Sequence, residues 1–266
     1  MNEIVIIILF VIVGIIAGTG AGLLGIGGGI IYIPSLYFLL PKIGVGQDEI
    51  VFVAIATSLF TALFSSGGAF LNHLKIKNVD FKKALLFASG SIIVAFFLPK
   101  VIIKLNHIYP KIILLLLMIL VLIRFLFDRK KEMKSILLLN DYYLIFFGFL
   151  IGALSASSGI GGGVVAVPAL ALFFGLSFKR AIGTSTLVVF LTLLTSSYSY
   201  WLLGSSFHSS GSFGLINLSA ALPMAVGAGL GSVFGTKIAY KYSEKTVKTV
   251  FLIFLLVSII KIISSF

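Results

Sequence analysis

The chain is 266 residues long, 59% hydrophobic and 11% charged, with 20 basic and 8 acidic side chains and no cysteine. Soluble domains are about 25% charged, so this composition excludes a soluble globular enzyme, a disordered chain and a secreted disulfide scaffold, and the missing cysteines exclude thiolate chemistry, Cys-ligated zinc and iron–sulfur clusters. The net charge of +12 reads as membrane topology and not as nucleic-acid affinity, because the basic residues sit in short loops between apolar runs.

The first apolar run, 4–40, has 37 positions without a charge. As one helix it would be about 56 Å long, against a bilayer core of ~30 Å. It must tilt steeply or fold back. Gly25-Ile26-Gly27-Gly28-Gly29 lies inside it, and each helical glycine costs about 1 kcal/mol, so a break is predicted within 24–30. A signal peptide is not the reading: no basic region precedes the run, and the same pattern recurs at mid-chain. Three plain crossings follow, 50–72, 84–99 and 112–127, the last with Arg124 towards its end. After a charged stretch comes a second long run, 142–175, whose Gly159-Ile160-Gly161-Gly162-Gly163 predicts a break within 158–164. The crossings 181–203, 213–236 and 249–265 close the chain, the last carrying Lys261.

These two series are one pattern used twice. Shifted by 134, residues 14–40 fall on 148–174 with nine of 27 positions identical, among them all four glycines of each cluster and Pro34/Pro168. Thr57-Ser58 falls on Thr184-Ser185 at a shift of 127. A single duplication of this length points to a two-fold, transporter-like body. Charge decides its sense. If each long run crosses once, basic residues divide 10 against 10. If each is a hairpin, loops 71–83, 124–141, 176–181 and 237–248 share a face with 15 of the 20. The positive-inside bias favours the hairpin, although Lys100, Lys104 and Lys111 then lie outside. The expected fold is an all-α polytopic membrane protein of two inverted repeats, 1–128 and 142–266, joined by a cytoplasmic linker loop at 129–141. Each repeat is a broken, re-entrant helical hairpin plus three transmembrane helices, and both termini lie outside.

Glycine serves two purposes here. Gly14-xxx-Gly18-xxx-Gly22 and Gly148-xxx-Gly152-xxx-Ala156 read as stripes for close helix packing, and Gly14→Ala is expected to disturb transport little. The adjacent glycines instead unwind the chain, which is tolerated at membrane depth only when buried in protein or lining a cavity. The segments starting at Ile30 and Val164 then offer free N–H groups and a positive dipole end, an anion site without a buried cation. The expected substrate-binding set is Gly27, Gly28, Gly29, Gly161, Gly162 and Gly163, with hydroxyls from Thr57, Ser58, Thr184 and Ser185. Back-bonding to helix carbonyls is the other reading of those hydroxyls. Gly20-Ala-Gly22-Leu-Leu-Gly25 matches a dinucleotide fingerprint, but no βαβ unit surrounds it, and there is no P-loop. His73, His107 and His208 read as surface residues without metal-ligand spacing, and Tyr198, Tyr200 and Trp201 as an interfacial aromatic belt.

Two glycine clusters, each with Pro five positions on and then an Ala/Gly-Thr-Ser helix start, resemble the sulfite exporter TauE/SafE family of membrane permeases across essentially the whole chain. The second half departs in having Ser157-Ser158 where the first has Leu23-Leu24, and Tyr200 opposite His73. The resemblance implies a plasma-membrane permease for small sulfur-containing anions such as sulfite, thiosulfate or sulfonates, with some members importing. No cofactor or metal is expected. The expected partners are a small anionic substrate and the lipid bilayer, with a homodimer left open. Export fits the residues better: the apolar runs hold no Asp, Glu or Lys at mid-depth for a proton relay, and an inside-negative potential drives an anion outward by ~2.3 kcal/mol per charge per 100 mV. The alternatives are an importer of organosulfur or other small anions, and an intramembrane enzyme. Ser155, Ser157 or Ser158 could be a nucleophile for the latter, but no base accompanies them, so no enzyme activity is expected.

Overall fold

Helix propensity and glycine placement set the element boundaries in this computed structural model. It describes residues 3–104, 139–206 and 212–239, together with 112, 115–116, 119, 122–123, 256, 259–260 and 263. The first apolar run becomes α1 (Glu3–Leu24) and α2 (Gly29–Leu39), continued by a 3₁₀ turn at Leu40–Ile43. The next two are α3 (Ile50–Lys75) and α4 (Phe81–Ile102). The second long run becomes α5 (Tyr143–Ser158) and α6 (Gly163–Phe173), followed by α7 (Phe178–Leu202) and α8 (Leu218–Ala239). Five of these helices, α1, α3, α4, α7 and α8, are long and apolar enough to cross a membrane. Most of the expected crossings 112–127 and 249–265, and most of the 129–141 linker, lie outside the described residues. One departure from an all-helical chain is a two-residue ribbon, β1 (Ser212–Phe213) against β2 (Ile216–Asn217). It turns at Gly214, φ +67°, so α8 starts five residues later than the apolar run does.

Burial sorts the helices into layers. The apolar windows of α3 and α7 are 78% and 72% buried, against 33% for α1 and 39% for α4. The first pair is the centre, and the second turns large side chains such as Ile8, Ile12, Ile93 and Phe97 outward. α3 and α7 pack on each other. The first hairpin crosses over to the second half's last described helix, α1 on α8, while α5 packs on α4. The glycine stripes make these contacts. A Cβ at Gly14, Gly18 or Gly22 would lie 2.3 Å from a backbone oxygen of α8, and one at Gly227, Gly231 or Gly235 within 2.3 Å of a backbone oxygen of α1. Gly148 and Gly90 do the same between α5 and α4, at 2.2 and 2.1 Å. Such approach lets backbones gain dispersion where lipid offers no hydrophobic drive. Gly14 is such a packing position: a Cβ there would meet the Met224 oxygen.

The two ends of the bundle differ in charge. At one end Asn78 Nδ2 donates to the Lys179 carbonyl (2.6 Å), Arg180 pairs with Asp80 (3.6 Å), Lys83 pairs with Asp141 (2.5 Å), and Asn72 Nδ2 donates to Thr236 Oγ1 (3.0 Å). The Lys83 ammonium holds the Asp141 carboxyl below the usual carboxylate range. Leu139 N donates to Phe173 O (2.8 Å), so the start of α5 and the end of α6 meet at this end. At the other end Glu3, Lys42 and Asn217 line a cavity of about 720 Å³, which places the start of α1 beside the turn that follows α2. Of the ten described basic residues, Lys75, Lys77, Lys82, Lys83, Lys179, Arg180 and Lys237 sit at the first end and Lys42, Lys100 and Lys104 at the second.

Candidate functional site

The helix breaks fall on the glycine clusters. Gly25, Gly27 and Gly28 have φ of +68°, +83° and +85°, and Gly159, Gly161 and Gly162 have +71°, +94° and +70°. Only glycine takes these angles at no steric cost. Gly28 and Gly162 are the left-handed N-caps of α2 and α6, without a side-chain cap. The first intrahelical bonds are Ile31 N and Tyr32 N to Gly28 O, and Val165 N and Ala166 N to Gly162 O. The N–H groups of Gly29, Ile30 and Val164 therefore fall outside the helical ladder.

The two breaks cross in contact. A Cβ at Gly29 would lie 2.3 Å from Gly159 O, and one at Gly163 2.2 Å from Gly25 O. A Cβ at Gly27 would stand 3.7 Å from Gly161 Cα. Each break is held by the other half's central helix. Ser58 Oγ on α3 donates to Gly159 O (2.9 Å), and Ser185 Oγ on α7 reaches Gly25 O (3.4 Å) while donating to Ile182 O (2.8 Å). The structure thus brings the six glycines together with Ser58 and Ser185. The Thr57 and Thr184 side chains turn elsewhere: Thr57 Oγ1 accepts from Asn217 N (3.1 Å) and Thr184 Oγ1 from Asp80 N (3.0 Å). Asn217 and Asp80 in turn cap α8 and α4, accepting from Ala220 N (3.0 Å) and Lys83 N (3.1 Å). All four hydroxyl residues are fully buried.

Sequence reasoning passed over several residues. Ser65 Oγ donates to Gly27 O (2.8 Å) and ties the first break to the middle of α3. Asp80 and Asn217 stand 137 apart as a repeat pair; the readable signal was an Asx residue just ahead of a helix. Two expectations are corrected. His73 is 3% exposed in the last turn of α3, with no partner on either ring nitrogen. His107 and His208 lie outside the described residues. Tyr200 is fully buried and its hydroxyl donates to Ala156 O (2.8 Å), whereas Tyr198 and Trp201 keep outward faces at 47% and 39% exposure.

Chemically the region offers backbone N–H groups, backbone carbonyls and hydroxyls in a setting of apolar side chains. No Asp, Glu, Lys or Arg lies within either break, in residues 50–74 of α3 or in residues 181–202 of α7. Among the described residues no group of His, Asp and Glu could hold a metal. Such donors suit an anion that needs no proton or metal from its host.

Comparison with known proteins places the chain. Residues 10–262 match the family model described as Sulfite exporter TauE/SafE. The chain is 31% identical over 262 residues to the probable membrane transporter protein YunE of Bacillus subtilis (strain 168), covering 90% of this chain and 91% of that one. It is 30% identical over 249 residues to the probable membrane transporter protein MJ0441 of Methanocaldococcus jannaschii, covering 90% and 89%. A probable membrane transporter protein of Haemophilus influenzae is 29% identical over 249 residues, covering 92% and 93%. No solved structure matches significantly.

Proposed function

Since the chain belongs to the TauE/SafE sulfite exporter family and is a multi-pass membrane transporter, we propose that it moves a small sulfur-containing oxyanion, sulfite-like, outward across the plasma membrane. The observation that carries this reading is the crossing of the two glycine breaks. Each presents the start of a helix, with N–H groups outside the ladder and the positive end of its dipole, and no Asp, Glu, Lys or Arg lies within either break. An isolated anion in such a medium is prohibitively costly. Converging helix starts lower that cost without a cation whose own burial would have to be offset.

The same reading takes the two halves as inverted repeats. Exchanging the halves maps the pairs α1–α8, α3–α8 and α2–α3 onto α5–α4, α7–α4 and α6–α7, all of which are in contact. Each hairpin starts and ends at one end of the bundle, the first at the Glu3 end and the second at the Asp141 end. Residues 1–128 and 142–266 are then the two repeats, with the basic end cytoplasmic. The crossed breaks sit between them near the midplane, and alternating access follows from rocking one half against the other.

Outward direction follows from the absence, among the described residues, of an Asp, Glu, Lys or Arg beside the breaks to carry a proton, since the membrane potential alone expels an anion. Purified protein in liposomes loaded with labelled sulfite tests this. Efflux is expected to rise with an inside-negative potential and to need no pH gradient. No flux above protein-free liposomes for sulfite, thiosulfate or a sulfonate would remove the substrate reading. Strict dependence on a pH gradient at zero potential would remove the export reading.

A further inference from the structure

Three serines beside the second break have hydroxyls with no hydrogen-bond partner: Ser155, Ser196 and Ser197, exposed by 0%, 0% and 4%. Their neighbours show what a helical hydroxyl does when it has no other task. Ser157, Ser158, Thr192 and Thr195 each donate to the carbonyl four residues back, at 2.5–2.9 Å. The three serines do not take that option. A buried polar group left unpaired is costly and calls for an explanation.

Their positions converge. Ser155 lies on the last turns of α5, its Cβ 3.5 Å from where a Cβ at Gly162, the N-cap of α6, would stand. On α7, Leu193 lies 3.6 Å from the corresponding point of Gly161, and Tyr200 bonds Ala156 O. Residues 193 and 200 therefore mark the stripe of α7 that runs along the second broken segment. Ser196 and Ser197, three and four residues from each, are the positions between them on that stripe.

The first break has no such set of serines; the buried hydroxyls without a partner on its side are those of Tyr32 and Tyr37 on α2. The repeat mates of the three serines are Ala21, Ala69 and Phe70. The N-cap Gly28 is covered by the ring of Tyr32, 2.8 Å from its would-be Cβ, whereas the mate of Tyr32 is Ala166. Unpartnered serine hydroxyls thus gather on one side of an otherwise repeated architecture.

We propose that Ser155, Ser196 and Ser197 form, with the N-terminus of α6, a binding site for a small oxyanion, so that the substrate is held by the second break and not shared equally between the two. This rests on the oxyanion-carrier reading above and assigns its donors. Three short hydroxyls around one helix start suit a compact anion with several oxygens, each taking a bond.

The test is calorimetric titration of the purified full-length protein with sodium sulfite, with thiosulfate and sulfate run in parallel. Ser155→Ala, Ser196→Ala and Ser197→Ala should each weaken sulfite binding about ten-fold or more, the loss typical of a hydrogen bond to a charged group. Ser196→Thr, which keeps the hydroxyl, should stay close to wild type. Ser157→Ala, whose hydroxyl is occupied by Ala153 O, should also bind as wild type. If a variant does not purify folded, Ser→Cys at the same position replaces it, since a thiol is a weak donor. Wild-type binding with all three variants no weaker than Ser157→Ala overturns this site and leaves the carrier reading standing. A wild type that binds none of the three anions overturns both.

Discussion

Gly29 and Gly163 show how little space a single atom has at the crossing. A methyl group at Gly29 would meet Gly159 O at 2.3 Å and Ile160 Cα at 2.5 Å, both backbone. No side chain can rotate away, so the two breaks must part, at ~1–3 kcal/mol or more. Gly229 on α8 is the contrast, with nothing within 4 Å and no positive φ. There alanine should gain about 0.5–1 kcal/mol of helix propensity. Thermal unfolding of the purified variants should show Gly29→Ala and Gly163→Ala melting well below wild type and Gly229→Ala at or above it. Equal melting of all three would mean that the breaks do not touch. The glycines were legible as helix breakers because their cost is local. The hydroxyl partners were not. Ser58 and Thr57 find backbone atoms 101 and 160 residues away, and nothing in a Thr-Ser pair says whether it will bond to its own helix or to such a distant atom.

At the scale of elements, the position of each break could be read but the inequality of its arms could not. α1 has 22 residues and α2 only 11, about 33 Å against about 16 Å. An uncharged run carries no mark of where its lipid-facing part stops. The starts of α4 and α8 are another matter of caps. Asp80 and Asn217 each accept a bond from the third residue on, and each donates its own N–H to a threonine of a central helix. Replacing either by alanine should cost about 1 kcal/mol. Asp80→Ala should cost somewhat more than Asp80→Asn, because asparagine keeps the cap and loses only the partly exposed pair with Arg180. Chemical denaturation in detergent resolves these differences. Identical midpoints for Asp80→Ala and wild type would show that the cap contributes nothing.

For the molecule as a whole, the duplication and the charge bias were visible in the chain, whereas the crossing of partners was not. Lipid-facing and protein-facing sides of a transmembrane helix are both apolar, so sequence gives no sign that α1 belongs with α8 and α5 with α4. The basic end still fixes an expected orientation. The chain lacks cysteine, so single cysteines report cleanly. Gln47→Cys should react with an impermeant thiol reagent on intact cells. Lys82→Cys, on a side chain 79% exposed at the opposite end, should react only after permeabilisation. Labelling of both from outside would overturn the assignment of faces.

The pairing of α1 with α8 also governs the order of assembly. Gly14, Gly18 and Gly22 emerge from the ribosome long before Gly227, Gly231 and Gly235, more than half the chain later. At roughly 5–20 residues per second that delay is about ten seconds or longer. Throughout it α1 stands in lipid, or against the insertion machinery, with its seat empty. Gly25 likewise waits for Ser185. The glycine face of α1 is closed only by α8, so a nascent chain arrested before residue 218 leaves that groove bare.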